Sequence, residues 1–140
     1  MFGVYLKGSK EVVELYQEAF DAKLVSECRN EDGSYMHAEL DVFGQILAIS
    51  EALPEAGDRV AGTTMQFNLH FGKGNEEIVQ KAYDVLKNGA LIHTPLAERF
   101  FSPLMFGLID KFGMNWLCLF NGVSYRVSNC RLQEQDGFPA

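Results

Sequence analysis

Two groups of polar side chains in this sequence could bind a ligand or a metal ion. His37 and Glu39 are separated by one residue, and Gln66, Asn68 and His70 follow one another at the same spacing. Apolar residues alternate with both groups, and this alternation is typical of a strand with one polar face. If both polar faces line one cavity, they supply two imidazoles, one carboxylate and two amides. Such a cavity could hold a neutral or cationic polar molecule.

Three roles for these residues are consistent with the sequence. They could face solvent or satisfy backbone groups, or they could contact an organic ligand. His37, Glu39 and His70 could also form a metal site of their own, because imidazole and carboxylate groups are common metal ligands. Nucleophilic catalysis is not indicated, since Cys118 lies within an apolar run and Ser50 has no neighbouring base in the sequence.

A run of large apolar residues lies near the end of the chain. It contains Phe100, Phe101, Leu104, Met105 and Phe106. We expect this run to cover the cavity or to pack across a twofold interface, because it is too apolar for an exposed hairpin. His93 precedes Thr-Pro, and we predict a loop or rim position for it.

The elements that must position these residues occur twice in the chain. A strand at 2–6 leads into a helix at 9–20, and a strand at 65–71 leads into a helix at 76–88. Three short strands follow each helix, with Gly44 and Gly113 in the last turns. This predicts an α+β fold of two βαβββ modules that form a cupped mixed sheet. We place the modules at 1–52 and 65–120, with a linker at 53–64 and a C-terminal extension at 121–140.

The helix boundaries follow from residue types at their ends. Ser9 and Asn75 are good N-cap residues, and Gly89 is suited to the left-handed position after a helix. Apolar residues recur at helical spacing in both segments and predict a buried stripe on each helix. The run 116–120 is apolar throughout, so we expect that strand to be covered on both faces.

Composition excludes several classes of protein. The 140 residues carry a formal net charge of −7, which argues against nucleic acid and anionic membranes as partners. No apolar run approaches the roughly 20 residues that span a bilayer. The three cysteines include no Cys-x-x-Cys pair, so neither a disulfide framework nor a structural zinc site is indicated. We expect a reduced, cytoplasmic protein.

Several segments resemble one known family. Tyr-Met-His-Ala-Glu-Leu at 35–40, followed by Gly44 and Ile-Ser-Glu-Ala at 49–52, resembles the third and fourth strands of PhnB-like proteins. Phe-Gly-Leu-Ile-Asp-Lys-Phe-Gly-Met-Asn-Trp at 106–116 resembles their closing hairpin. Leu-Tyr-Gln-Glu-Ala-Phe at 15–20 resembles part of their opening helix. PhnB-like proteins belong to the vicinal oxygen chelate superfamily, with glyoxalase I, bleomycin-resistance proteins and extradiol dioxygenases. The resemblance implies paired modules, a cupped sheet and a homodimer.

The resemblance also implies where a metal would bind. Enzymes of this superfamily usually hold a divalent metal with His, Glu or Gln on the first and last strands of each module. Those positions fall here near Met1 or Gly3, near Ala48 or Ser50, at Gln66 and near Leu117. Of these residues only Gln66 suits a hard divalent ion, so we expect no cofactor and no metal of the usual kind.

The leading hypothesis is a protein that binds a small organic molecule in the cup without the usual metal. The alternatives are a metal-dependent lyase, isomerase or dioxygenase, and a non-catalytic dimeric scaffold whose cup is filled by its own side chains. The sequence does not decide whether the protein is an enzyme. The predicted ligand-binding set is His37, Glu39, Ser50, Gln66, Asn68, His70, Phe101 and Met105.

Overall fold

The order of helices and strands repeats once along the chain. The structure, a computed structural model, describes residues 1–54, 62, 64–99 and 102–120. Its elements are β1 (Phe2–Leu6), α1 (Ser9–Phe20), β2 (Lys23–Arg29), β3 (Tyr35–Val42), β4 (Gln45–Glu51), β5 (Phe67–Phe71), α2 (Glu76–Leu86), β6 (Leu91–Arg99), β7 (Ser102–Ile109) and β8 (Asn115–Phe120). The two predicted βαβββ modules and the α+β class are therefore confirmed.

Each module forms one four-stranded mixed sheet. Sheet A has the strand order β1-β4-β3-β2, and sheet B has the order β5-β8-β7-β6. The first strand of each module runs parallel to the last, and the remaining pairs are antiparallel. Gly44 and Gly113 have φ angles of 87° and 86° in the turns before the last strands. Only glycine adopts this conformation freely, which explains the residue at both predicted turns.

The first helix begins as predicted, but Ser9 does not cap it. Gly8 occupies the N-cap position, and the Glu51 carboxylate accepts hydrogen bonds from the Gly8 amide at 3.1 Å and the Ser9 amide at 2.8 Å. The Ser9 hydroxyl instead accepts a bond from the Tyr35 amide at 2.9 Å. A carboxylate from the last strand of sheet A thus replaces the local cap, and its negative charge suits the helix N-terminus.

The second helix ends two residues earlier than predicted. Asn75 is at its N-cap position, but the Asn75 side chain makes no capping bond and donates to the Gly72 carbonyl at 2.8 Å. Gly89 has the expected left-handed backbone, with φ of 74°. The strand predicted at 65–71 begins at Phe67, so Gln66 precedes it.

Both modules share one hydrophobic core. Helix α1 packs against α2, and each helix also packs on the sheet of its own module. The rings of Tyr16 and Phe20 from α1 lie 5.2 and 4.8 Å from the Trp116 ring of sheet B. The core-facing sides of the two sheets contribute Ala38, Leu40, Leu47, Ile49, Phe106, Leu108, Trp116, Cys118 and Phe120. The opposite side of each sheet, called its outward face below, therefore points away from the helices.

The apolar run near the end of the chain is divided between these two sides. Phe106 is fully buried in the shared core, so the prediction that it covers a cavity or an interface is wrong. Met105 is also buried but alternates with Phe106 along β7, which places it on the outward face. Phe100 and Phe101 lie outside the described residues. Strand β8 is covered on both faces as expected, with only Leu117 half-buried.

Neither of the two described helices has the length and apolar character needed to cross a membrane.

Candidate functional site

The outward face of sheet A carries the first predicted pair. His37 Nε2 donates to Glu39 Oε1 at 3.0 Å, and the two side chains are 43% and 25% exposed. Because Ala38 pairs with Ile49 and Glu39 with Ala48, Ser50 of β4 lies beside His37. Ser50 is buried, and Tyr5 of β1 is its partner on the other side in the ladder. The strand ladder thus brings His37, Glu39 and Ser50 together.

The outward face of sheet B carries the second predicted group. Asn68 and His70 are exposed at alternate positions of β5, opposite Leu117 and Leu119 of β8. Met105 pairs with Leu119 from the other side, so β8 lies between Met105 and His70. Gln66, just before β5, donates from Nε2 to the Asn115 side chain at 3.5 Å. Four predicted residues therefore share this face, while Phe101 lies outside the described residues.

His93 belongs to the same face, although the sequence predicted a loop position. It lies within β6 at a shift in strand register, next to Thr94. His93 Nε2 donates to Asn115 Oδ1 at 2.9 Å, and His93 Nδ1 contacts Thr94 Oγ1 at 2.9 Å. Because Asn115 Oδ1 can only accept a hydrogen bond, His93 Nε2 carries a proton, and the Thr94 hydroxyl can donate to Nδ1. The two contacts thus fix the position of the His93 imidazole on the outward face of sheet B.

Gly107 makes room for this imidazole. A Cβ atom at Gly107 would lie 2.4 Å from His93 Cε1, closer than two carbon atoms can approach. The His93 ring therefore packs directly on the backbone of β7. One feature of the sequence could have indicated this position of His93. Gly107 lies inside an apolar strand, and a glycine there often marks the close approach of another group.

Among the described residues, neither of the two spaces beside sheet B joins the two polar faces. A cavity of about 340 Å³ lies between β4 and β5, and a groove of about 530 Å³ follows β1. Gln66 and Asn68 line the cavity, but neither His37 nor Glu39 lines either space. This follows from the shared core, because α1 and α2 hold the sheets by their core-facing sides.

No protein-family model matches the sequence, and no curated protein matches it significantly. Solved structures do match its fold. A putative 3-demethylubiquinone-9 3-methyltransferase, a PhnB protein from Bacillus cereus, is 22% identical, with a TM-score of 0.66, over 86% of this chain and 97% of that one. TioX from Micromonospora sp. ML1 is 18% identical, with a TM-score of 0.56, over 86% and 98% of the chains. A mutant of the fosfomycin resistance protein FosX from Listeria monocytogenes, complexed with Mn(II) and 1S,2S-dihydroxypropylphosphonic acid, is 14% identical, with a TM-score of 0.65, over 92% and 94%. The chain has the vicinal oxygen chelate fold.

The FosX structure contains Mn(II), but the residues of this chain that the structure describes do not fit a metal ion. Of the ligand positions that the resemblance implies, Gly3 pairs with Ala48 in the ladder, Leu117 lies on β8, and Gln66 lies just before β5. Three of these four residues have no ligating side chain, and an amide oxygen alone is a weak ligand for a divalent ion. No group of three or more His, Cys, Asp or Glu within the described ranges is arranged to hold a metal ion. Among the described residues, no third His, Cys, Asp or Glu joins the pair of His37 and Glu39 in such a group.

Proposed function

We propose that this protein binds a small polar organic molecule, without a metal ion, between two copies of the chain. The outward face of sheet A in one copy provides His37, Glu39 and Ser50. The outward face of sheet B in the other copy provides the amides and imidazoles around His93. One observation carries this proposal: the helices hold the two sheets by their core-facing sides, while His37, Asn68, His70 and His93 on the outward faces remain accessible.

The side chains on these faces favour a neutral or cationic ligand with several hydrogen-bonding groups. The Glu39 carboxylate can accept hydrogen bonds, and the amides of Gln66 and Asn68 can both donate and accept them. No Lys or Arg belongs to either described group, and the chain has a formal net charge of −7. An anionic ligand would therefore meet a carboxylate without a compensating cation.

Exposed apolar residues near the sheet edges support a second copy as the other half of the site. Strands β1 and β5 are end strands of their sheets. Phe2 and Tyr5 of β1 are 59% and 61% exposed, and Met65 just before β5 is 71% exposed. Natural proteins usually cover or pair a sheet edge with such apolar character.

The first experiment measures oligomeric state and then screens for ligands. Light scattering coupled to size-exclusion chromatography should give twice the chain mass of 15.7 kDa. A thermal-shift screen of neutral and cationic metabolites should then identify a stabilising compound. His37→Ala and His93→Ala should each abolish binding of that compound, whereas Gln80→Ala on the exposed side of α2 should not.

Mixed dimers test whether the site spans two chains. A dimer of one His37→Ala chain and one His93→Ala chain would contain one intact site and one site lacking both imidazoles. The proposal therefore predicts half of the wild-type binding stoichiometry. If each site lay within one chain, the mixed dimer would have no intact site and would not bind.

Elemental analysis tests the metal-free part of the proposal. Protein purified without chelator should contain far less than one metal ion per chain, and titration with Mn²⁺, Ni²⁺ or Zn²⁺ should show no stoichiometric binding. Near-stoichiometric metal that is lost in His37→Ala would instead support the metal-dependent lyase, isomerase or dioxygenase hypothesis. A monomer that binds no compound would contradict the proposal altogether.

A further inference from the structure

The cavity of about 340 Å³ between β4 and β5 is a candidate for a second binding site. Its floor contains Leu47, Phe67 and Trp116, which belong to the core-facing sides of the two sheets. We propose that this inter-module cavity binds an uncharged, flat aromatic molecule. Its volume lies within the range of roughly 300–1,000 Å³ that is typical of small-molecule sites.

Aromatic rings form one wall of the inter-module cavity. The rings of Phe67 and Trp116 have centroids 5.1 Å apart with a tilt of 35°. The ring of Phe2 lies 6.2 Å from that of Phe67 in an edge-on arrangement. Phe2 is 59% exposed, so this row of rings begins at the surface and ends at the buried Trp116. A flat aromatic ligand could extend this row with the same tilted and edge-on contacts.

The polar groups of the inter-module cavity are amides. They belong to Gln45, Gln66 and Asn68, and no Lys, Arg, Asp, Glu or His is among the described residues that line this cavity. A charged group on the ligand would therefore be removed from water without an ionic partner. A hydroxyl, carbonyl or amide on the ligand could bond to the rim amides. These features select an uncharged molecule.

This cavity is distinct from the site between two copies. Its floor lies on the core-facing side of the sheets, whereas His37 and His93 lie on the outward faces. The two sites share the rim residues Gln66 and Asn68, because β5 is an end strand whose side chains are accessible from the sheet edge. Phe2 and Met65 line the cavity and also belong to the exposed edge next to the second copy. Occupancy of the inter-module cavity therefore does not require a second copy or an intact His37.

Trp116 provides a direct assay, because it is the single tryptophan of the chain and part of the cavity floor. N-phenylnaphthylamine is an uncharged aromatic fluorophore that accepts energy from tryptophan. Titration of the full-length chain should give saturable energy transfer from Trp116, with one probe molecule per chain. Anilinonaphthalenesulfonate has nearly the same ring system but carries a negative charge, and it should bind at least about tenfold more weakly, because its charge would be buried without a partner.

A pair of matched variants locates the bound probe. Ile46→Arg places a charge in the inter-module cavity and should raise the dissociation constant of N-phenylnaphthylamine by about tenfold or more. Val25→Arg introduces the same charge at an exposed position of β2 that does not line the cavity, and it should leave the dissociation constant unchanged. If Ile46→Arg does not fold by circular dichroism, Gln45→Arg at the exposed rim replaces it.

Three results would overturn the inference. The first is no energy transfer from Trp116. The second is equal affinity of Ile46→Arg and the wild type for N-phenylnaphthylamine. The third is equal affinity of the wild type for the uncharged and the sulfonated probe. Loss of binding in His37→Ala would assign the probe to the site between two copies.

Discussion

The carboxylate of Asp110 joins the two modules. Its removal should lower the free energy of unfolding more than any substitution at the surface. Asp110 is only 4% exposed. Its Oδ2 accepts bonds from the Tyr16 hydroxyl of α1 at 2.6 Å and from Trp116 Nε1 of β8 at 2.9 Å. Its Oδ1 accepts bonds from the amides of Phe112 at 2.9 Å and Met114 at 3.0 Å. One buried carboxylate thus satisfies four donors.

Asp110→Asn keeps the size of the side chain but replaces one acceptor with a donor. The amide oxygen can still serve one pair of donors, while its NH₂ group faces the other pair. Leaving two buried donors without an acceptor costs about 2–5 kcal/mol in the free energy of unfolding. A domain of this size has a total stability of roughly 5–15 kcal/mol, so this loss is a large fraction of it. The melting temperature should fall by about 10 °C.

Urea unfolding followed by the fluorescence of Trp116 measures this loss. Asp84→Asn, which changes an exposed carboxylate on α2, is the matched control and should leave stability nearly unchanged. Tyr16→Phe removes one donor from the site, so Asp110→Asn should cost about 1 kcal/mol less in that background. A cost below about 1 kcal/mol for Asp110→Asn in the wild type would refute the hydrogen-bond accounting.

The same contact predicts a loss of stability at alkaline pH. Burial, reinforced by the Asp110 charge, raises the pKa of Tyr16 well above its ordinary value of 10.0. The neutral hydroxyl is therefore favoured in the folded state. Its contribution to stability is complete below pH 10.0 and decreases as the pH rises from there toward the folded-state pKa. Tyr16→Phe should remove this part of the alkaline dependence in urea unfolding; an unchanged dependence would contradict it.

Three further outcomes follow from contacts elsewhere in the fold. Burial works to raise the pKa of Glu51, but hydrogen bonds from the first amides of α1 outweigh it and hold the pKa below its ordinary 4.5. Glu51→Gln should therefore cost about 1 kcal/mol at neutral pH, and acid titration of unfolding should show a smaller loss below pH 4.5 than in the wild type. Gly107→Ala should displace the His93 ring, cost about 1–3 kcal/mol and shift the imidazole NMR signals; unshifted signals would contradict the packing. Burial raises the pKa of the Cys118 thiol, so peptide mapping after native alkylation should find the exposed Cys28 modified and Cys118 modified only after unfolding.

Local sequence patterns were enough to predict the repeated module. Apolar residues at helical spacing and at alternate positions depend on neighbours within a few residues, and these patterns predicted α1, β1 and the turns at Gly44 and Gly113. The cap of α1 could not be predicted in this way. Its acceptor, Glu51, lies 42 positions from Ser9 and reaches the helix only after β4 pairs with β1.

For the polar residues of the candidate site, too, relations within one strand could be predicted from the sequence and contacts between strands could not. The sequence predicted that His37 shares a face with Glu39 and that Asn68 shares one with His70, because alternate residues of a strand point to the same side. It missed His93, since the shift in register within β6 and the space above Gly107 come from contacts between separate strands.

Which side chains share a strand face follows from the order of residues alone, because it depends only on the backbone period of two residues. Where those faces point depends on tertiary contacts. The packing of α1 against α2 and the contact of Tyr16 with Asp110 hold both sheets by their apolar sides. The polar faces are therefore directed outward, and the cavity between the modules is lined by apolar rings. These arrangements arise from contacts between distant segments, which no local pattern encodes.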